Sequence, residues 1–232
     1  MAKQFALGDG VEFAENPEPR CACLMLLDTS GSMAAGGRGG CTPIAELNGG
    51  LQAYRSSLAE DPLAVKRVEV SVITFGERVK TVCDFTSVEN FAPPLLHAEG
   101  GTPMGAAILA GLDALEHRKQ SYKANRISYY RPWVFLLTDG APTDDWRPAA
   151  ERLRQLESQK AVAFFPIGVG SADMDMLAQL SDTPPKKLSG LKFRELFQWL
   201  SRSQRSVSHS RPGGEAGSEK VALPRTSSWE AI

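Results

Sequence analysis

The chain has few of the residues that build zinc centres or disulfide frameworks. Its 232 residues include four cysteines and three histidines. No CxxC pair is present, and no histidine follows a cysteine at zinc-ligand spacing, so a structural zinc site is not indicated. Cys21 and Cys23 lie in an apolar, strand-like run whose period of two turns both to one face. We interpret them as buried, reduced thiols, which favours a cytoplasmic location.

Long apolar runs are also missing. No stretch approaches the roughly 20 apolar residues that cross a bilayer, so we predict no membrane span. Residues 1–20 are interrupted by charges and glycines, unlike a secretory leader.

Charge of one sign is not in excess either. The 26 basic and 27 acidic residues give a net charge of −1, with a pI near 6.3. Proteins that bind nucleic acids present a basic patch or stripe. We therefore predict no nucleic-acid partner.

What the sequence does contain is an alternation of apolar strands and helices. Strands buried on both faces are indicated by three continuous apolar runs: Cys21–Leu27, "WVFLLTDG" and "AVAFFPIGVG". A hairpin is indicated by "RVEVSVITFG" followed by "RVKTVCDF". Two helices are predicted to begin at Thr42-Pro43 and Thr102-Pro103, with threonine as N-cap and proline at the first helical position. This pattern predicts an α/β fold: a mostly parallel sheet with one antiparallel edge strand and helices on both faces.

The predicted organisation is a lead-in over residues 1–20, one domain over 21–202 and a flexible tail over 203–232. The tail is rich in Ser, Arg, Gly and Pro, a composition typical of disorder. It ends in "LPRTSSWEAI", where Trp229 could anchor in the groove of a partner and the Thr-Ser-Ser run could accept phosphate. A phosphoprotein or scaffold that acts through this tail is therefore an alternative function.

Oxygen-bearing side chains follow the ends of the predicted strands. Asp28, Ser30 and Ser32 follow the first strand, Thr102 opens a helix, and Asp139 ends "WVFLLTD". The carboxyl ends of neighbouring parallel strands meet at one edge of a sheet, near the point where the strand order reverses. An all-oxygen set of two carboxylates and three hydroxyls suits Mg²⁺, Mn²⁺ or Ca²⁺ better than zinc or copper. With so little negative charge, such an ion should keep waters and one open position.

These residues resemble a known motif. The stretches are "DTSGSM", "GGTPMG" and "LLTDGAPTD". Together they are similar to the metal-ion-dependent adhesion site (MIDAS) of von Willebrand factor A (VWA) domains. That motif consists of Asp-x-Ser-x-Ser in one loop, a Thr in a second loop and an Asp in a third. The resemblance covers roughly residues 20–200. It implies a Rossmann-like, six-stranded sheet of order 3-2-1-4-5-6 and a non-enzymatic module whose metal bridges to an Asp or Glu of a protein partner.

The resemblance also implies a role for each residue. Ser30 and Ser32 would bind the metal directly, and Thr102 would bind it directly in one state and through water in another. Asp28 and Asp139 would act mainly through waters or as nearby charges. Glycines would shape the loops: Gly31 would let the first turn close around the ion, while Gly101 and Gly140 would keep the rim low.

A narrower likeness concerns the biological setting. The chain looks like the short bacterial VWA proteins of the tellurite-resistance TerY type in four stretches: "SVITFG", "GGTPMGAAI", "FLLTDGAPTDDW" and "KFRELFQWLS". That likeness implies a stress-response system with a Ser/Thr kinase and a PP2C-like phosphatase as partners. One departure is the segment "AAGGRGGC", residues 34–41, which is longer and richer in glycine than the family pattern. It could bring Arg38 toward an acidic ligand, or it could be a spacer.

Enzymatic readings find less support. The sequence has no Walker A motif and no Gly-x-Ser-x-Gly elbow, and Gly168-Val169-Gly170 lacks the third glycine of a dinucleotide fingerprint. Of the histidines, only His97 is expected in a loop near the oxygen cluster. A metal-dependent hydrolase that recruits Asp144 or Asp145 as base is the remaining enzymatic alternative, although either residue could instead cap the helix that begins near Trp146.

Overall fold

A computed structural model describes residues 12–36, 41–212 and 223–231. Within these ranges the strands are β1 Cys21–Asp28, β2 Val68–Phe75, β3 Val79–Ser87, β4 Trp133–Thr138, β5 Ala163–Gly168 and β6 Lys186–Lys187. The helices are α1 Pro43–Ala59, α2 Pro62–Arg67, α3 Met104–Ala124, α4 Arg147–Ser158, α5 Met174–Ala178 and α6 Phe193–Ser208, with a short 3-10 turn at Gly31–Ala34.

The strands form one sheet of order β3-β2-β1-β4-β5-β6. Only β3 is antiparallel, and it pairs with β2 at the edge. β1 pairs with β2 on one side and with β4 on the other, so the strand order reverses between β1 and β4. This is the predicted fold class, strand order included. The reversal brings the carboxyl ends of β1 and β4 side by side.

The two faces of the sheet are buried by different helices. Alternate residues of β1 point to opposite faces: Cys21, Cys23, Met25 and Leu27 share one apolar cluster with residues of α1 and α6, while Ala22, Leu24 and Leu26 share another with residues of α3 and α4. Burial raises the pKa of the Cys23 thiol to about 12, so this group stays protonated and serves as a core residue. No helix within the described ranges combines the length and the apolar character that a bilayer crossing needs.

The two predicted Thr-Pro helix starts differ in the structure. At α1 the Thr42 hydroxyl accepts a hydrogen bond from the Ala45 N–H at 3.3 Å, and Pro43 is the first helical residue. At α3 the N-cap position is held by Pro103, whose side chain makes no capping hydrogen bond. The prediction of Thr102 as N-cap is therefore wrong. Asp144, from the loop after β4, caps α3 by accepting from the N–H groups of Gly105 at 3.0 Å and Ala106 at 2.8 Å.

The predicted boundary at residue 202 and the flexible tail also need correction. α6 continues to Ser208 because its amphipathic pattern continues, with Val207 buried on the apolar face. Residues 223–231 pack against the domain, and the Trp229 side chain is fully buried. The predicted tail over 203–232 therefore includes the last turns of a helix and a docked segment, while residues 213–222 lie outside the described part of the chain.

Candidate metal centre

The five predicted site residues lie in three loops at the carboxyl edge of the sheet. Asp28 is the last residue of β1, Ser30 directly precedes the 3-10 turn that follows it, and Ser32 lies in that turn. Asp139 directly follows β4. Thr102 immediately precedes the residue that caps α3. All except Ser32, which is exposed, are buried.

Hydrogen bonds join the first and third loops. The hydroxyl oxygens of Ser30 and Ser32 are 3.0 Å apart, and Ser32 donates to Oδ1 of Asp139 at 2.7 Å. Residues 107 positions apart in the chain thus contact each other directly. The structure therefore brings four of the five predicted residues into one connected group, since Asp28 accepts a hydrogen bond from the backbone N–H of Ser30 at 2.8 Å.

Thr102 is linked to the third loop through its backbone rather than through its own hydroxyl. Its N–H donates to the Thr143 hydroxyl at 3.1 Å, and its carbonyl accepts from the Thr143 N–H at 2.9 Å. Its hydroxyl lies beside Gly140, at 3.7 Å from the position that a Cβ on Gly140 would occupy. The second loop is thus fixed to the third, next to Asp139.

Asp28 is a buried carboxylate held by short hydrogen bonds. Its Oδ2 accepts from the Thr138 hydroxyl at 2.5 Å, a contact that the sequence analysis missed. Burial raises the pKa of Asp28; the hydrogen bonds from Ser30 and Thr138 act in the opposite direction, and the nearby charge of Asp139 adds to the rise. The only signal for Thr138 in the sequence is a hydroxyl residue just before Asp139 at the end of an apolar strand.

The donor set fits a hard divalent cation. Within the described residues no Arg, Lys or His forms an ion pair with Asp28 or Asp139. Two carboxylates that approach each other in a buried site without a counter-charge are costly, and a cation would remove that cost. The described ranges contain no cluster of three or more His, Cys, Asp or Glu side chains suited to a metal, so any centre here has to use hydroxyl oxygens. Such oxygens suit Mg²⁺, Mn²⁺ or Ca²⁺.

One glycine that the resemblance did not single out constrains these loops more tightly than Gly31, Gly101 or Gly140. A Cβ at Gly31 or Gly140 would meet its nearest neighbour at ordinary contact distances of 3.6 and 3.7 Å, and at Gly101 the nearest atom, 3.3 Å away, is a side-chain hydroxyl. Gly100, by contrast, has φ +77°, and a Cβ there would lie 2.3 Å from the Cα of Glu77. Its carbonyl accepts from the Gly31 N–H at 3.0 Å, so this position, which only glycine adopts without strain, ties the second loop to the first.

We expect Gly100→Ala to lower the free energy of unfolding by about 2 kcal/mol or more, because a side chain at positive φ adds strain and here also overlaps backbone. Urea unfolding followed by circular dichroism measures the loss. Gly31→Ala, on the other side of the same hydrogen bond, is the matched control and should change stability little. Equal stability of the two variants would contradict the role given to Gly100.

Two other predictions concern the rim. Residues 37–40, which include Arg38, lie outside the described part of the chain, so the role suggested for Arg38 stays a prediction. His97 is exposed and lines a surface pocket with Arg78, Lys80 and Glu99. It makes none of the hydrogen bonds that hold the described oxygen cluster.

Comparison with known proteins identifies the family pattern. Residues 24–195 match the model of the von Willebrand factor type A domain. The collagen alpha-6(VI) chain of Homo sapiens is 34% identical over 109 residues, which are 47% of this chain and 4% of the collagen chain. The same collagen chain of Mus musculus is 28% identical over 174 residues, 72% of this chain and 7% of the relative. This chain thus spans a small fraction of the relatives that it matches.

Solved structures show the same fold at lower identity. The pilus adhesin SpaC of Lactobacillus rhamnosus GG has a TM-score of 0.62 at 14% identity, covering 82% of this chain and 32% of the adhesin. Manganese-loaded TRAP protein of Plasmodium vivax has a TM-score of 0.50 at 19% identity, covering 77% and 73%. Proximal thread matrix protein 1 of the mussel byssus, described with a zinc-occupied MIDAS motif, has a TM-score of 0.52 at 14% identity, covering 82% and 48%. At these identities the likeness shows the fold alone.

Proposed function

Because the chain belongs to the von Willebrand factor type A domain family, we propose that it is a non-enzymatic protein-interaction module whose divalent cation is held by Asp28, Ser30, Ser32, Thr102 and Asp139. The single observation that supports this most is the junction of the first and third loops, where Ser32 donates to Asp139 at 2.7 Å. The junction gathers two buried carboxylates and the serine hydroxyls without a basic partner among the described residues. A cation would supply the missing positive charge.

Each residue has a defined task in this proposal. Ser30 and Ser32 offer hydroxyl oxygens as direct ligands, and Thr102 offers a third from the loop beside Gly140. Asp28 is held by Thr138 and by the Ser30 backbone N–H, which fixes the direction of its carboxylate. Asp139 accepts from Ser32 and so orients a ligand. Residues that orient ligands in this way typically contribute 10- to 100-fold to metal affinity.

The chemistry of these donors also favours one kind of partner. Neutral hydroxyls leave a hard cation short of negative charge, and such a cation has six or more positions to fill. When bound, the ion would supply an electrophilic site for one further oxygen ligand. We propose that an Asp or Glu carboxylate of a protein partner provides it. The manganese-loaded and zinc-occupied relatives support a divalent ion of this general kind, and we favour Mg²⁺, with Mn²⁺ or Ca²⁺ as substitutes.

The narrower setting is part of the same proposal. The likeness of "GGTPMGAAI" and "FLLTDGAPTDDW" to tellurite-resistance proteins of the TerY type supports a role in bacterial stress signalling, with a Ser/Thr kinase and a PP2C-like phosphatase as candidate partners. A cytoplasmic location is supported by cysteines that are all free in the described residues, two of them fully buried, since thiols persist in reducing compartments.

The hydrolase alternative loses its candidate base. Both carboxylate oxygens of Asp144 accept backbone N–H groups at the start of α3, and Asp145 accepts from the Arg147 N–H at 3.2 Å. A general base has to reach the proton that it removes, and these carboxylates are engaged in capping. The observations therefore favour binding over catalysis.

A capture experiment from native lysate tests the proposal. Tagged wild-type protein is incubated with Mg²⁺ or with EDTA, and bound proteins are identified by mass spectrometry. We expect a partner that is retained only with Mg²⁺, lost in Ser32→Ala, and kept in the control Ser158→Ala, which removes an exposed hydroxyl from α4. A partner retained equally in EDTA would contradict a metal-bridged contact.

A further inference from the structure

A second candidate site lies at the far edge of the sheet, away from the proposed metal. Residues 223–231, here called the C-terminal segment, pair with β6, the edge strand. The Ser189 N–H donates to the Trp229 carbonyl and the Ala231 N–H donates to the Lys187 carbonyl, both at 2.8 Å. Leu188 and Glu230 form an antiparallel bridge. The segment therefore occupies an edge that would otherwise expose unpaired backbone groups, as peptides do in strand addition.

One side chain anchors the segment. Trp229 is fully buried, with its ring 5.5 Å from that of Trp199, in a groove whose wall also includes Phe165 and Pro184. The indole N–H of Trp199 donates to the Pro224 carbonyl at 2.8 Å, which fixes the start of the segment. An aromatic anchor in a fitted groove, flanked by backbone pairing, is the arrangement typical of peptide recognition.

The fit of the anchor is incomplete. The buried indole N–H of Trp229 has no hydrogen-bond acceptor in the described structure, and a cavity of about 10 Å³ remains in the groove that it lines. Burying an unpaired donor opposes docking, because the group has lost its water without gaining a partner. The unpaired donor and the cavity thus both oppose docking of the segment.

The point at which such a change would act is Thr226. Its hydroxyl donates to the carboxylate of Glu230, and its carbonyl accepts the N–H groups of both Trp229 and Glu230 at 3.0 Å. Glu230 in turn accepts from Lys186 at 2.8 and 3.0 Å. Burial raises the pKa of Glu230, but the bonds from Lys186 and Thr226 outweigh it and lower the pKa overall. The carboxylate is therefore charged at neutral pH.

We propose that Thr226 is a phosphorylation site and that its modification releases the C-terminal segment from the groove. A separate kinase would transfer the terminal phosphoryl group of a nucleoside triphosphate: the Oγ1–P bond forms, the P–O bond to the departing nucleoside diphosphate breaks, and the hydroxyl proton passes to the kinase's base. Phosphothreonine carries a charge of about −1.5 to −2 at neutral pH and donates no hydrogen bond in its dianionic form. It would face the carboxylate of Glu230, which already uses Lys186 as its ion-pair partner.

The neighbouring serines do not occupy an equivalent position. Ser227 and Ser228 are exposed, and their side chains make no hydrogen bond among those described for this turn. A charge at Ser228 can therefore be solvated without meeting Glu230. Release of the C-terminal segment on phosphorylation of Thr226 would uncover the aromatic wall, the β6 edge and Lys186. Together these suit an extended peptide in which Glu follows Trp, as in the segment itself.

Hydrogen exchange on the full-length chain tests this proposal. In Thr226→Glu we expect the amides of Ser189 and Ala231 to exchange at least tenfold faster than in wild type, approaching the rates in Trp229→Ala, which marks the fully released state. Ser228→Glu adds the same charge two residues away and should exchange as wild type does. Thr226→Val removes the hydrogen bond without adding charge and should have a smaller effect than Thr226→Glu.

A synthetic peptide of residues 223–231 provides a second readout. It should bind the full-length Thr226→Glu chain, whose groove is vacant, and show no binding to the wild-type chain, whose own segment occupies the groove. Wild-type exchange rates in Thr226→Glu, equal release by Ser228→Glu, or equal release by Thr226→Val would each overturn the proposal. Failure of the metal-dependent capture would leave these results unchanged, since they concern the β6 edge of the sheet, away from the proposed metal.

Discussion

Asp28→Asn is expected to lower the affinity for Mn²⁺ by about 10- to 100-fold while the chain stays folded. The Asp28 carboxylate is fully buried at the end of β1, where it accepts from Thr138 and from the Ser30 backbone. Asparagine keeps the shape and one carbonyl oxygen, but it removes the negative charge that would face the cation. The substitution also removes a desolvated charge, so stability in the absence of metal should not fall greatly.

Titration with Mn²⁺ followed by electron paramagnetic resonance measures this affinity, and circular dichroism confirms folding. Asp113→Asn, at an exposed position on α3 that pairs with Arg152, is the matched control and should bind as wild type. Ser30→Ala and Ser32→Ala should both weaken binding, because each removes a direct oxygen ligand. Wild-type affinity in Asp28→Asn would contradict the assignment of this carboxylate to the site.

Glu69→Gln is expected to lower the free energy of unfolding by about 3–5 kcal/mol, because it removes the charge of a buried carboxylate that pairs with two buried guanidinium groups. Glu69 lies near the start of β2, fully buried, with Arg20 at 2.8 Å on one oxygen and Arg118 at 2.8 Å on the other. The Tyr122 hydroxyl also donates to it. Arg20 and Arg118 are themselves buried, so neither guanidinium regains water when the carboxylate is lost.

Urea unfolding followed by tryptophan fluorescence measures this loss. Glu12→Gln is the control: Glu12 also pairs with Arg118, at 2.9 Å, but it is partly exposed. Exposed or half-exposed pairs typically contribute less than about 1 kcal/mol. A loss below 1 kcal/mol in Glu69→Gln would contradict the view that this cluster stabilises the edge of the sheet opposite to the site. Metal binding should be unchanged in either variant that remains folded.

The sheet itself could be predicted because its central strands are short apolar runs bounded by polar loops. β1 and β4 are buried on both faces over their whole length, which is typical of a parallel sheet covered by helices. The resemblance to VWA domains added the strand order. Local sequence also predicted the α1 start, since Thr42 and Pro43 act within one turn of the helix.

Contacts between distant segments were harder to predict. Either Asp144 or Asp145 was expected to cap the helix that begins near Trp146. Asp145 accepts from the Arg147 N–H at the start of that helix, but Asp144 caps α3, 39 residues earlier in the chain. The same limit applies to Thr138, whose bond to Asp28 spans 110 residues, and to Gly100, whose constraint comes from the backbone of Glu77. Each of these depends on how loops pack, which no local pattern encodes.

The C-terminal segment is a related case. Its composition indicates disorder, and Leu223 and Trp229 are its large apolar residues. The groove that receives Trp229 is formed by β5, β6 and α6, so it exists only once the domain has folded. A single buried aromatic residue can thus order a polar segment for which local sequence predicts no structure.

The most direct test of a cation at this edge is a crystal structure of the wild-type chain grown with Mn²⁺, with data collected for anomalous scattering from manganese. We expect one anomalous peak within direct coordination distance, about 2 to 2.5 Å, of the Ser30 and Ser32 hydroxyl oxygens, close to Asp28, Thr102 and Asp139. A peak at another place, or an ordered Ser30–Ser32 turn without any anomalous density, would contradict the central claim.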